Sequence, residues 1–199
     1  KIINTTASDT TTPTVGSASP TSAVPGQSTT FTASVSDNVG VTSCTFISNG
    51  ASSAATVSNN IASYTTSLSE GTYSMYFKCS DAAGNTGTGT SVTVKSSKPQ
   101  LSVSTSLPKT TYYPAENLEP KVTVKDPDGK IVIDAKISGI LTYGTSSKYL
   151  SFFYSSLCDC YKAWHWLDEG SLPNTYTLNV TATHASYQSA GAIASFTLI

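Results

Sequence analysis

Oxygen-bearing side chains recur in the first half of this chain where an extended strand would have to turn. Asp9 opens Asp9-Thr10-Thr11-Thr12-Pro13, Asp37 opens Asp37-Asn38-Val39-Gly40-Val41, and Asp81 and Asn85 bracket Asp81-Ala82-Ala83-Gly84-Asn85. Carboxylate and amide oxygens are the hard donors that calcium takes, six to eight at a time. If these loops gather at one end of a fold, Asp9, Asp37, Asp81 and Asn85 form a candidate calcium set. The simpler alternative is that each closes an Asx-turn on its own backbone. The residues alone leave both open.

The cysteines offer redox chemistry or cross-linking. Cys44 and Cys79 lie in two apolar–polar alternating runs expected to face each other across a sandwich. They could form a disulfide, adding roughly 3–4 kcal/mol by constraining the unfolded chain, or remain buried thiols. In Cys158-Asp159-Cys160 a local bridge needs a tight turn, because alternate residues of a straight strand are too far apart to bond. Asp159 is a good turn residue, so a C-x-C bridge capping a hairpin is the expectation, with exposed thiols or intersubunit pairing as alternatives. Zinc on Cys158, Cys160 and His165 would lack the fourth ligand of a closed site.

A hydrolase would need His165 or His184, the two histidines of the chain, beside a nucleophile and an orienting acid. No such constellation is evident. Asp168-Glu169 stands before a glycine and reads as a solvated turn. No catalytic residue and no enzyme activity are expected, and no cofactor other than the candidate calcium.

Charge narrows the partners. Only 12% of residues are charged, and Lys+Arg 11 balances Asp+Glu 12. Every basic residue is lysine, so there is neither a basic field nor a guanidinium fork for nucleic acid. No apolar run is long enough to span a membrane. Serine and threonine take the place of charge, and Asn4-Thr5-Thr6 and Asn179-Val180-Thr181 are acceptor sequons for N-glycosylation.

The elements that must position these residues are strands. Short runs rich in Thr, Ser, Val, Tyr and Phe alternate between turns at Pro25-Gly26, Asp37–Gly40, Asn49-Gly50, Asn59-Asn60, Glu70-Gly71 and Asp81–Asn85. In Tyr73–Cys79 the residues Tyr73, Met75, Phe77 and Cys79 share a face. No window has a helical period. Ser96-Ser97-Lys98-Pro99 is a polar hinge ending in a residue that cannot continue a ladder. A second strand set follows, including Ile131–Ser138, Tyr149–Ser155 and Tyr161–Leu167, with a turn at Asp126-Pro127-Asp128-Gly129. There Val122, Val124, Ile131, Ile133 and Ala135 are expected to point inward. The tyrosines and tryptophans could stack on sugar rings, but in period-two strands they are expected to fill the core. The expected architecture is all-β: a leader at 1–8, then two tandem immunoglobulin-like antiparallel β-sandwiches at 9–97 and 98–199.

Three pieces of the first half, Asp9–Pro13, Asp37–Val41 and Asp81–Asn85, resemble the D-T-T-x-P, D-N-x-G-V and D-A-A-G-N of Ig-like repeats in bacterial and archaeal surface proteins. The second half resembles macroglobulin-type Ig-like domains through Tyr113–Glu116, Val124–Lys130, Tyr161–Trp164 and Asn174–Leu178. The resemblance implies an extracellular or cell-surface location, and in some such repeats the corresponding aspartates hold calcium. At its own junction this chain departs from the pattern, with Lys98 where an interdomain ion would need an acid.

The expected function is a structural subunit of an extracellular filament, pilus-like, or of a surface layer. Its partners would be copies of itself or other surface proteins. The leader carries Ile2 and Ile3, β-branched residues suited to an added strand on a neighbour's sheet, and reads as ordered for that purpose. Nothing beyond Ile199 suggests a linker, as a complete small protein would have it. The alternatives are an adhesion or ligand-binding module of a larger surface protein, and a carbohydrate-binding accessory module.

Overall fold

Glycine and asparagine set the strand ends of the first half by taking left-handed backbone that other residues avoid. Asn49 and Gly50 have φ of 47° and 84°, and Asn59 and Asn60 have 51° and 61°. Between such turns run β1 (Thr14–Val15), β2 (Ser22–Ala23), β3 (Ser28–Ser36), β4 (Val41–Ser48), β5 (Ala51–Ser58), β6 (Ile61–Ser67), β7 (Gly71–Asp81), β8 (Thr86–Thr88) and β9 (Val92–Ser96). The computed structural model describes residues 8–168 and 173–199, and no helix occurs among them. Asn4, Ile2, Ile3 and the proposed leader strand lie outside the described residues, as does Glu169.

The chain divides into two compact units between Ser97 and Lys98. In the first, hydrogen bonding follows the order β1-β3-β6-β5-β4-β7-β9-β2, with β8 on β7. Strand β5 serves both layers of the sandwich: Ala51–Ala55 pair with β4, and Thr56–Ser58 pair with β6. The core between the layers centres on Phe46, stacked on Phe31 at 5.6 Å and Tyr64 at 4.8 Å and tilted against Phe77 at 5.1 Å. Met75, Phe77 and Cys79 are buried on one face of β7, as their alternation predicts.

The second unit contains β10 (Ser102–Ser106), β11 (Thr111–Tyr112), β12 (Asn117–Leu118), β13 (Lys121–Lys125), β14 (Lys136–Tyr143), β15 (Ser146–Ser151), β16 (Phe153–Ser155), β17 (Cys160–Lys162), β18 (His165–Trp166), β19 (Asn174–His184) and β20 (Tyr187–Leu198). They form a four-stranded sheet, β10-β13-β17-β16, a five-stranded sheet, β11-β20-β19-β14-β15, and the small pair β12-β18. Tyr112, Leu118, Val122, Val124, Leu141, Leu178 and Phe196 fill its core. The architecture is two Ig-like β-sandwiches in tandem. Among the described residues two strand pairings are parallel rather than antiparallel, β2 with β9 and β11 with β20, and Gln100 and Gln188 make an isolated parallel bridge.

One expected strand is absent. Residues 131–135 make a single bridge, Lys125 to Ile131, and then leave the ladder; the strand is β14, beginning at Lys136. Val132 and Ala135 are buried, but Ile133 is 58% exposed. The physical reason is a side chain that replaces the ladder. The Tyr161 hydroxyl donates to the Val132 carbonyl at 2.9 Å and accepts from the Ala135 N–H at 2.8 Å. Burial raises the Tyr161 pKa, so the hydroxyl keeps the proton it donates. Replacing Tyr161 with Phe leaves both backbone groups buried without partners, which costs about 1–3 kcal/mol. The urea midpoint of the second unit falls accordingly in Y161F; an unchanged midpoint would show that the clamp contributes nothing.

Candidate metal centre

Asp9, Asp37 and Asp81 converge at one end of the first unit, each offering an oxygen within 4.8 Å of the others'. Asp9 precedes β1, Asp37 occupies the β3–β4 turn, and Asp81 ends β7 on its core face. Each turn holds its own carboxylate. Asp37 Oδ2 accepts from the Val39 and Gly40 N–H groups at 2.9 and 3.0 Å. Asp9 Oδ1 accepts from the Thr11 N–H at 3.0 Å and the Asn38 amide at 3.1 Å. Asp81 Oδ1 accepts from the Asn85 N–H at 2.9 Å.

These are the Asx-turns expected of such residues, but they use only part of the carboxylates. Asp9 Oδ2 and Asp37 Oδ1 are buried and have no hydrogen-bond partner. A buried carboxylate oxygen without a donor is costly, and two beside a third carboxylate add like-charge repulsion. Oxygens bound to one calcium at 2.3–2.6 Å can be at most about 5 Å apart, which the 4.8 Å limit satisfies. The donor set fits calcium: hard, anionic and already held by backbone.

Asn85 braces the group. Its amide nitrogen donates to Asp81 Oδ2 at 2.7 Å and to the Asp9 carbonyl at 3.1 Å, tying the β7–β8 turn to the segment before β1. Gly87 allows the close approach, since a Cβ there would overlap the Pro13 carbonyl. The Thr11 N–H, then the Asn38 amide, hold the Asp9 carboxyl below the usual carboxylate range. Because its folded-state pKa is depressed, what Asp9 adds to stability is present above the unfolded pKa and lost as pH falls through the folded one.

Cys44 and Cys79 are bridged, but not across the sandwich as expected. They are directly opposed on neighbouring strands β4 and β7 of one sheet, with Cα atoms 4.0 Å apart. Opposed residues at non-hydrogen-bonded positions of an antiparallel ladder approach to about 4.5 Å, close enough to bond. Phe46 and Phe77 are the next opposed pair on the same face of the same two strands, beside the bridge. Asp81 lies two residues beyond Cys79 on the same face, so the bridge sits directly behind the acidic group.

The second unit holds the other candidates. Cys158 and Cys160 are bridged about Asp159, which takes φ 49° and whose carboxylate accepts from the Tyr154 hydroxyl at 2.9 Å. Neither sulfur is therefore a thiolate for zinc. His165 is held toward its neutral form, by burial first and by Lys148 second. Asn179 is exposed on β19, the central strand of its sheet, between Ile140 and Ile193. Trp164 and Trp166 are not core residues: they are 59% and 54% exposed. The ladder expected over Tyr161–Leu167 breaks after Lys162, but burial keeps alternating: Tyr161, Ala163 and Leu167 take the core face, and both tryptophans fall on the outward one.

The sequence reading missed an acid for His184. Its Nε2 lies 3.2 Å from Asp134 Oδ2, while Nδ1 accepts from the Ser186 N–H at 3.0 Å. That places the ring proton on Nε2, toward the carboxylate, and leaves Nδ1 engaged with backbone rather than poised as a base.

No protein-family model matches the chain, and no curated protein matches it. Its likenesses are to solved structures. The titin domains Z1Z2, in a complex with telethonin, are 17% identical, with 96% of this chain and 97% of that chain covered and a TM-score of 0.50. The fibronectin(III)-like modules of Clostridium thermocellum CbhA are 16% identical over 93% and 95%, with a TM-score of 0.41. The Yersinia pseudotuberculosis adhesin InvE is 13% identical over 92% of this chain and 58% of its own, with a TM-score of 0.32. At these identities the likeness is one of fold, and the fold is Ig-like.

Proposed function

We propose that this chain is a calcium-binding structural module of the cell exterior, serving as a subunit of a filament or surface layer. The observation that carries the reading is the pair of buried, donorless oxygens on Asp9 and Asp37 beside Asp81. No lysine answers them: among the described residues the lysine in an ion pair is Lys109, with Glu116, in the second unit. Calcium would be held by Asp9, Asp37 and Asp81, joining three separate turns into one rigid end. Disulfides persist in oxidising compartments, and all four cysteines are bridged. The motifs around these aspartates are those that resemble bacterial and archaeal surface repeats, and no catalytic role is assigned to any residue.

Assembly would proceed by strand addition from the Lys1–Thr6 leader. Edge strands present unpaired backbone groups to an incoming chain. Among the described residues β10 pairs only with β13 and β15 only with β14, giving five- and six-residue edges, whereas the path of the first unit ends in two-residue strands. The second unit is therefore the acceptor. Electron microscopy tests this: the intact chain forms fibres, and a variant lacking residues 1–8 stays folded and monomeric. Filaments from the truncated chain, or a plain monomer from the intact one at high concentration, would replace the filament reading with that of an adhesive module.

A further inference from the structure

The outward face of the sheet β10-β13-β17-β16 is chemically one-sided. Register places Phe153, Lys162 and Lys121 in one row across β16, β17 and β13, since residues directly opposed in a ladder share a face. Lys125 continues that face two positions along from Thr123, and the exposed serines of β10 lie opposite this line. No carboxylate occupies any outward position of the four strands, and none of the three lysines is in an ion pair among the described residues. Lys121 and Lys162 are opposed like charges, an arrangement that repels unless something anionic lies over it. At the edge of this face Phe153 is stacked against Trp164, ring centroids 4.6 Å apart and planes 28° from parallel, and both rings are exposed.

We propose that this face binds an acidic polysaccharide, a polyuronate, independently of the calcium-binding end of the first unit. The Phe153–Trp164 pair is an exposed apolar platform on which a pyranose ring can lie. Strands are about 4.8 Å apart, so the lysines stand one and two strand spacings from Phe153, within reach of carboxylates on the same or the next sugar. Serine and threonine hydroxyls supply the polar contacts that sugar hydroxyls need. Charge complementarity selects an acidic glycan over a neutral one. The absence of arginine disfavours phosphate backbones, which are best met by a planar guanidinium.

The test is affinity electrophoresis of the full chain at physiological salt, in gels containing polygalacturonate, a neutral glucan, or single-stranded DNA. The chain is retarded by polygalacturonate alone. Trp164→Ala and the double variant Lys121→Ser/Lys162→Ser each weaken retention roughly ten-fold, equivalent to one aromatic contact or one charged pair. Phe153→Ser serves as a second platform variant, and thermal melts show which variants are folded. Equal retardation by the neutral glucan or by DNA overturns the proposal. So does retention that falls with the lysines but is untouched in folded Trp164→Ala and Phe153→Ser, because that is simple ion exchange.

Discussion

Calcium held as proposed is expected to raise the melting temperature of the first unit by about 10–20 °C when present at a hundred times its dissociation constant. A ligand that binds only the folded state at that excess contributes about 2.7 kcal/mol, and a domain of this size shifts by roughly 4–8 °C per kcal/mol. The second unit, which lacks the Asp9–Asp37–Asp81 group, does not shift, so calorimetry with and without chelator carries its own internal control. Asp37→Asn removes one anionic ligand, and its Oδ1 is one of the two donorless oxygens. In this variant most of the calcium response disappears. The chelated variant melts no lower than the chelated parent, because the substitution relieves the repulsion among the three carboxylates. Calcium-independent melting of the parent would refute the metal centre and leave the aspartates as turn formers.

Removing the Cys44–Cys79 bridge has the second large effect. Replacing both cysteines with alanine destabilises the first unit by roughly 3–4 kcal/mol in the chain-entropy treatment, measured as a fall in its denaturant midpoint. The same replacement at Cys158 and Cys160, which enclose a single residue, costs about 2 kcal/mol or less on that scale. The larger loss also propagates to the metal. Asp81 follows Cys79 by two residues on the same face of β7. Without the bridge, the β4–β7 pair beneath it loses its covalent tie and calcium binds more weakly. A midpoint shift with undiminished calcium affinity would show that the ladder alone positions Asp81.

The two units differ in how far their residues announced their structure. In the first, turn chemistry and alternation agree, so β3, β4, β5 and β6 run between the turns expected at Pro25-Gly26, Asp37–Gly40, Asn49-Gly50, Asn59-Asn60 and Glu70-Gly71. The acidic group was legible as residues because its members sit in turns that an Ig-like sandwich brings to one end. That two of their oxygens would be buried without donors depends on packing between loops far apart in sequence. In the second unit the alternation of Ile131, Ile133 and Ala135 imitates a strand, yet a distant tyrosine hydroxyl satisfies that backbone instead. That Tyr161, Ala163 and Leu167 would take the core face and leave Trp164 on the outward one could not be read from a run of residues that are all competent to face either way. The side of the sandwich on which Cys44 falls is likewise a matter of which strands are neighbours. A pattern of period two specifies a face but not a partner.

The parallel pairing of each unit's early and late strands has a mechanical consequence. In the first unit β2 lies parallel to β9, and in the second β11 lies parallel to β20. Tension applied through the chain pulls the leading strand toward its N-terminus and the trailing strand toward its C-terminus, so the two parallel partners are dragged in opposite directions along their common axis. Their hydrogen bonds, roughly perpendicular to that axis, are loaded together rather than peeled one after another. The parallel pair of each unit therefore resists a stretching force in shear, in series behind the antiparallel strand that precedes it, β1 in the first unit and β10 in the second.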